Sequence, residues 1–227
     1  LVDAGGKRFR PLLVLLAAQF GAGNTRPVID AAVVVELTHL ATLYHDDVMD
    51  EAKIRRGAVS ANARWDNTVA ILTGDFLFAR ASDILADLGP EAVRVQARTF
   101  ERLCTGQIRE TVGPEEGMDP VKHHIQVLAD KTGSLIATSG RFGAMMSGAD
   151  EATVETMARF GESIGVAFQL ADDLVDITSD TTQSGKTPGT DLREGVPTLA
   201  ALIAMSSPEG RDVRLKDLLS RPLVDDV

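Results

Sequence analysis

The chain has 227 residues, with 23 Lys and Arg against 33 Asp and Glu, a net charge of −10. That balance argues against nucleic acid as a partner, because phosphate backbones are bound by broad basic surfaces. The single Cys excludes an intrachain disulfide framework and points to a reducing, cytoplasmic compartment, and no apolar run reads as long enough for a membrane span.

Gly5-Gly6-Lys7-Arg8-Phe9-Arg10-Pro11 leads into the apolar run Leu12 to Ala18. The glycines permit unusual backbone angles, and Pro11 suits the first turn of a helix. Three cations ahead of a helix start, which itself favours anions, fit a diphosphate clamp as well as they fit a solvated basic turn. After a break at Gly21 to Pro27, a helix is expected over Ala31 to Tyr44, carrying His39 and ending in His45-Asp46-Asp47-Val48-Met49-Asp50. Helical spacing puts Asp46 and Asp50 on one face with Asp47 beside them. Carboxylates so close repel one another. A hard cation such as Mg2+ relieves that repulsion and keeps positions for water or substrate phosphate. Glu36 and His39 also spell Glu-x-x-His, but a di-iron bundle needs a second copy, which is not found here.

Lys53 to Trp65 reads as a basic, polar loop that returns Arg55 and Arg56 over the carboxylates. Helices are expected over Thr68 to Leu88, Glu91 to Val112, and Val121 to Ala149. The last is interrupted at Lys131-Thr132-Gly133-Ser134, and a Thr-Gly pair inside a helical pattern fits a kink beside a ligand. Glu151 to Asp176 then repeats the earlier pattern, with Gln169 followed by Asp172-Asp173-Leu174-Val175-Asp176. One Asp-Asp-x-x-Asp alone is most simply a solvated face. Two, far apart in sequence and each closing an apolar helix, point to facing walls of one metal site. Thr178 to Pro197, which includes Lys186, has the composition of a lid. Its Gly185-Lys186-Thr187 lacks the earlier glycine and the strand of a P-loop. A last helix is expected over Thr198 to Met205, followed by a charged tail. With no period-2 alternation, the fold class is all-α.

Taken in order from Gly5 to about Leu199, these motifs resemble those of the trans-isoprenyl diphosphate synthases. The resemblance implies a bundle of antiparallel helices around a deep cavity, a homodimer, and head-to-tail condensation of isopentenyl diphosphate with an allylic diphosphate. It implies that Asp46, Asp50 and Asp172 hold Mg2+, three ions with substrate bound, assisted by Asp47, Asp173 and Asp176. Arg55, Lys131 and Lys186 would bind the allylic diphosphate, with Thr132 and Gln169 near the allylic carbons, while Lys7, Arg10, His39 and Arg56 would hold isopentenyl diphosphate. The final proton would leave to the pyrophosphate just formed. Val196 stands where many relatives carry a further lysine. A single domain over 1–227 is expected, lacking N-terminal helices and part of the C-terminal region.

Two alternatives are weaker. A class I terpene cyclase lacks the second diphosphate clamp and commonly lines its cavity with aromatics, which make up 4% of this chain. A non-catalytic partner subunit would be marked by loss of an Asp cluster. On the chain-length question, Ala41 and Thr42 are small where short-chain relatives often carry large aromatics. With Thr38, Val35 and Val34 below them and Phe100 and Leu103 as floor candidates, they imply a medium or long product.

Overall fold

The computed structural model describes residues 5–178, 189, 192–193, 195, 198–207 and 213–219. Its elements are α1 (Phe9–Ala17) with a 3-10 turn (Ala18–Phe20), α2 (Arg26–Met49), β1 (Ile54–Arg55), β2 (Ala58–Val59), α3 (Ala61–Arg64), α4 (Asn67–Leu88) and α5 (Pro90–Val112). There follow α6 (Pro120–Leu128), a π turn (Ala129–Gly133), α7 (Ser134–Met146), α8 (Glu151–Thr178), α9 (Leu199–Ser206) and α10 (Val213–Leu219). The all-α class holds. Two local expectations need correction. The stretch read as a loop contains a hairpin, pairing Ile54 with Val59 and Arg55 with Ala58, and the short α3; strands of two residues are too short to show alternation. Helix α10 lies in what read as a charged tail.

Helix ends follow local chemistry. Pro27 stands in the first turn of α2, and Asp66 accepts from the Val69 amide at the start of α4. Asp119 caps α6 through the Val121 amide, and Thr198 caps α9 through that of Ala201. The expected interruption at Lys131 to Gly133 is the π turn, a feature often found at functional sites.

The chain divides into two compact units, one of Leu1–Glu101 with Ser134–Glu162, the other of Arg102–Gly133 with Ser163–Val227. In the first, α2 packs against α1, α4 and α7. Val28, Ala31, Val34, Val35, Thr38 and Ala41 of α2 are wholly buried. A side chain on Gly143 of α7 would collide with the Val14 carbonyl, and one on Gly74 of α4 with the His45 ring, so both positions exist for close packing. By length and composition α2 is long and apolar enough to cross a bilayer, with a mean hydropathy of 1.3, which corrects the expectation of no such run. A core helix passes the same test, and α2 is packed as one. In the second unit α6 runs into the π turn and packs against α9. Gly106, in the later half of α5, has no room for a Cβ, which would lie 2.8 Å from the Lys131 amide nitrogen.

Candidate active site

The carboxylates that end α2 divide in two. Asp47 is only 1% exposed and turns inward, accepting from Arg55 Nε at 2.6 Å, while Asn62 Nδ2 donates to its carbonyl oxygen at 2.9 Å. Asp46 is half-buried, and Asp50 caps the helix with its side chain more than half exposed and 3.9 Å from Arg55 Nη2. Arg55 therefore comes back over the cluster as expected. Its charge is committed to Asp47, which is an anchor for the arginine in this arrangement.

Arg56 goes elsewhere. Its Nη1 donates to the Gly5 carbonyl at 2.5 Å, and a Cβ on Gly6 would lie 2.7 Å from that nitrogen. This brings Arg56 to the turn that carries the exposed Lys7, the residue with which it was grouped. Arg10 lies in the first turn of α1, not ahead of it, which corrects the expectation of three cations before the helix. Its Nε is buried with no hydrogen-bond partner. Burial lowers the Arg10 pKa to about 10; Glu36 opposes that fall and Arg56 adds to it. Arg8 has left-handed backbone geometry (φ 48°), and its Nη1 lies 2.5 Å from Glu36 Oε1.

His39 stands in the field of all these groups. Burial first, then the positive charges of Arg10, Arg56, Arg55 and Arg8, push its pKa from 6.5 down to about 2. The imidazole is neutral at physiological pH. Beside this neutral ring Arg56 and Arg10, the latter with an unsatisfied buried N–H, form a cradle that suits a compact polyanion, while Arg8 and Arg55 are paired with Glu36 and Asp47.

In the second unit Asp172 is exposed, Asp173 buried and Asp176 half-buried. Gln169 Nε2 donates to Asp173 Oδ1 at 3.3 Å, Thr132 Oγ1 donates to Gln169 Oε1 at 3.4 Å, and His124 Nε2 lies 3.7 Å from Asp173 Oδ2. Thr132 and Gln169 are thus brought together, as grouped from the sequence. Lys131 Nζ donates to Glu110 Oε2 at 2.5 Å. Just before it, the buried Asp130 accepts from Arg102 Nε and Gln126 Nε2, each at 2.9 Å, and from Arg109. Sequence reasoning gave no site role to Glu36, His124 or Asp130. Asp130 carried a signal in its place beside the helix interruption, and Glu36 one in its Glu-x-x-His spacing to His39. Lys186 lies outside the described residues.

The chain-length positions also divide. Ala41, Thr38, Val34 and Val35 have no exposed surface, whereas Thr42 is half-buried and donates to the His39 carbonyl at 2.8 Å. Phe100 is partly exposed and packs in a tilted arrangement against Phe78, 4.5 Å between centroids; Phe78 in turn lies 5.9 Å from the His45 ring. Leu103 is buried in the second unit.

No group of three or more His, Cys, Asp or Glu stands ready to hold a metal among the described residues. Asp46, Asp50 and Asp172 nevertheless supply hard carboxylate oxygens at half-buried or exposed positions. In each unit taken by itself, Asp46 with Asp50 in the first and Asp172 in the second, such oxygens are of the kind Mg2+ takes, one or two carboxylates with waters and phosphate completing its shell.

An all-α fold with an Asp-rich helix end in each unit and a cationic cradle defines a class that binds diphosphates. The polyprenyl synthetase family model matches residues 1–226, and the chain belongs to that family. It is 54% identical over 227 residues to the nonaprenyl diphosphate synthase of Mycobacterium tuberculosis, covering 100% of this chain and 68% of that one. It is 45% identical over the same length to the dimethylallyltranstransferase of that organism, covering 69% of it. The geranylgeranyl pyrophosphate synthase of Corynebacterium glutamicum, solved with calcium and isoprenyl diphosphate, matches with a TM-score of 0.88 and 52% identity over 99% of this chain and 68% of its own. The chain thus spans about two thirds of the length of these relatives.

Proposed function

We infer that this chain is a trans-prenyltransferase that joins isopentenyl diphosphate head to tail to an allylic diphosphate. The observation that carries the reading is the cradle around His39, because a second, independent diphosphate site is what condensation needs and cyclisation does not. Lys7, Arg10, His39 and Arg56 hold isopentenyl diphosphate, with the buried Arg10 Nε–H available to it and the neutral imidazole adding a hydrogen bond without further charge.

Asp46, Asp50 and Asp172 would hold Mg2+, with Asp173 and Asp176 supporting the second of these clusters. When bound, the metal neutralises charge that develops on the departing pyrophosphate. Arg55, Lys131 and Lys186 orient the allylic diphosphate, Arg55 being set by Asp47. The Thr132 and Gln169 oxygens stabilise positive charge on the allylic carbons; the bond from Gln169 Nε2 to Asp173 fixes which end of the amide faces Thr132. No residue of the chain is assigned as base, and the proton passes to the pyrophosphate formed.

A medium or long product is favoured by the small Ala41 and Thr42, and by the nonaprenyl and heptaprenyl names carried by relatives at 54% and 42% identity. A homodimer in the cytoplasm completes the proposal. The test is pyrophosphate release on mixing isopentenyl and farnesyl diphosphates with and without Mg2+. Both substrates and the metal should be required, and Asp46→Ala and Asp172→Ala should each lower turnover by about 10²–10³-fold with the helical circular dichroism retained. Release from farnesyl diphosphate alone would mark a cyclase or phosphatase instead.

A further inference from the structure

We propose that Glu36 is a positioning residue of the isopentenyl diphosphate site, setting the guanidiniums of Arg8 and Arg10 against His39 so that the cradle has one shape before the ligand arrives. This rests on the reading given above for Lys7, Arg10, His39 and Arg56.

Glu36 is one helical turn before His39 on α2, and its side chain is 16% exposed. Arg8, Arg10, Arg55 and Arg56 all act on the His39 ring, and a neutral ring does nothing to hold like charges together. Arg55 is held by Asp47 and Arg56 by the Gly5 carbonyl, and the Glu36 carboxylate acts on the other two. It grips Arg8 at 2.5 Å and acts directly on the charge of Arg10. Arg8 has the left-handed geometry that a non-glycine residue keeps only where its surroundings hold it. The Glu36 contact is one such hold on Arg8, at the turn between the exposed Lys7 and the start of α1. Arg10, in the first turn of that helix, then carries its unsatisfied Nε–H to a set place.

Two roles for this carboxylate predict opposite signs. If Glu36 merely competes with the ligand for the cations, Glu36→Gln makes the site more positive and tightens binding. If it positions them, the same nearly isosteric change loosens binding although the local charge has become more favourable.

Calorimetric titration of the protein with isopentenyl diphosphate, and separately with farnesyl diphosphate, decides between them. Glu36→Gln should weaken isopentenyl diphosphate by about ten-fold, the scale of one charge-assisted hydrogen bond, and leave farnesyl diphosphate within about two-fold. Arg8→Gln should weaken isopentenyl diphosphate in the same direction but by less, since Glu36 still acts on Arg10, and the double variant should lose less than the sum of the two because they share the Arg8–Glu36 contact. Tighter or unchanged binding of isopentenyl diphosphate in Glu36→Gln overturns the proposal. So does a parallel loss of both ligands with a lowered melting temperature, which would make Glu36 a fold residue only. Because binding is read without turnover, a wild-type protein that binds isopentenyl diphosphate but releases no pyrophosphate would refute the synthase reading and still test Glu36.

Discussion

Ala41→Phe and Thr42→Phe test whether the growing tail runs along α2, and the structure separates two positions that the sequence treats alike. Thr42 lies four residues before Asp46, one turn of about 5.4 Å. It is half-buried, and the bond it would lose is a local one to the His39 carbonyl, with a net value of about 1 kcal/mol in such exchanges. A ring there starts from a half-buried position rather than from inside the core. Ala41 is wholly buried between packed helices, and overpacking a core of native density costs about 1–3 kcal/mol. At roughly 2–4 °C per kcal/mol for a chain of this size, Ala41→Phe should melt about 2–12 °C lower. The assay is mass analysis of products made from isopentenyl and farnesyl diphosphates, run beside thermal melting. Thr42→Phe should stay active, melt near the wild type and shift its main product toward geranylgeranyl diphosphate. If Thr42→Phe makes the wild-type chain length, the tail does not pass this face and the inference of a long product from small residues on α2 loses its basis. An Ala41→Phe protein with unaltered melting would refute the packing argument.

Asp47→Asn should act on stability before it acts on metal. Removing one partner of a buried ion pair costs about 3–5 kcal/mol, but Arg55 is 30% exposed and water recovers part of that. A loss of about 2 kcal/mol, or about 4–8 °C in melting temperature, is expected; an unchanged melt with collapsed turnover would make Asp47 a metal ligand instead. For His39 the linkage has a definite sign. The folded ring titrates near pH 2 and the unfolded one near 6.5, so between those values the unfolded chain binds the extra proton. Stability from this group is complete above pH 6.5 and falls as pH drops below it, by about 2 kcal/mol at pH 5 in the ligand-free protein. Urea midpoints at pH 7 and pH 5 should therefore converge in His39→Gln, and an equal pH dependence in wild type and variant would remove the buried neutral histidine from the account.

The helical order was legible because long apolar runs bounded by Gly, Pro and Asp carry the period of a helix over many turns. The hairpin at Ile54 to Val59 was not, since two residues cannot show alternation. At the site, the family resemblance grouped Lys7 with Arg56 and Thr132 with Gln169, which lie near one another in the structure, and it gave Asp47 an assisting place beside the metal ligands Asp46 and Asp50. Spacing fixes which residues share a helix face. It does not say that Asp47 meets Arg55 from a later hairpin, because that contact belongs to tertiary packing. The roles of Glu36, His124 and Asp130 escaped for the same reason, their partners coming from elsewhere in the chain. Ala41 and Thr42 look equivalent as letters and differ only in which side of α2 the neighbouring helices cover.

The crowd of guanidiniums around His39 has a practical consequence for handling the protein. If these donors hold a diphosphate as proposed, a small dianion is drawn to them too, so phosphate or sulfate in a buffer should act as a competitor and not a bystander. Apparent Michaelis constants for isopentenyl diphosphate taken in phosphate will exceed those taken in an amine buffer of equal pH and ionic strength. A preparation that appears sluggish after elution with sulfate is then a protein with its cradle already filled.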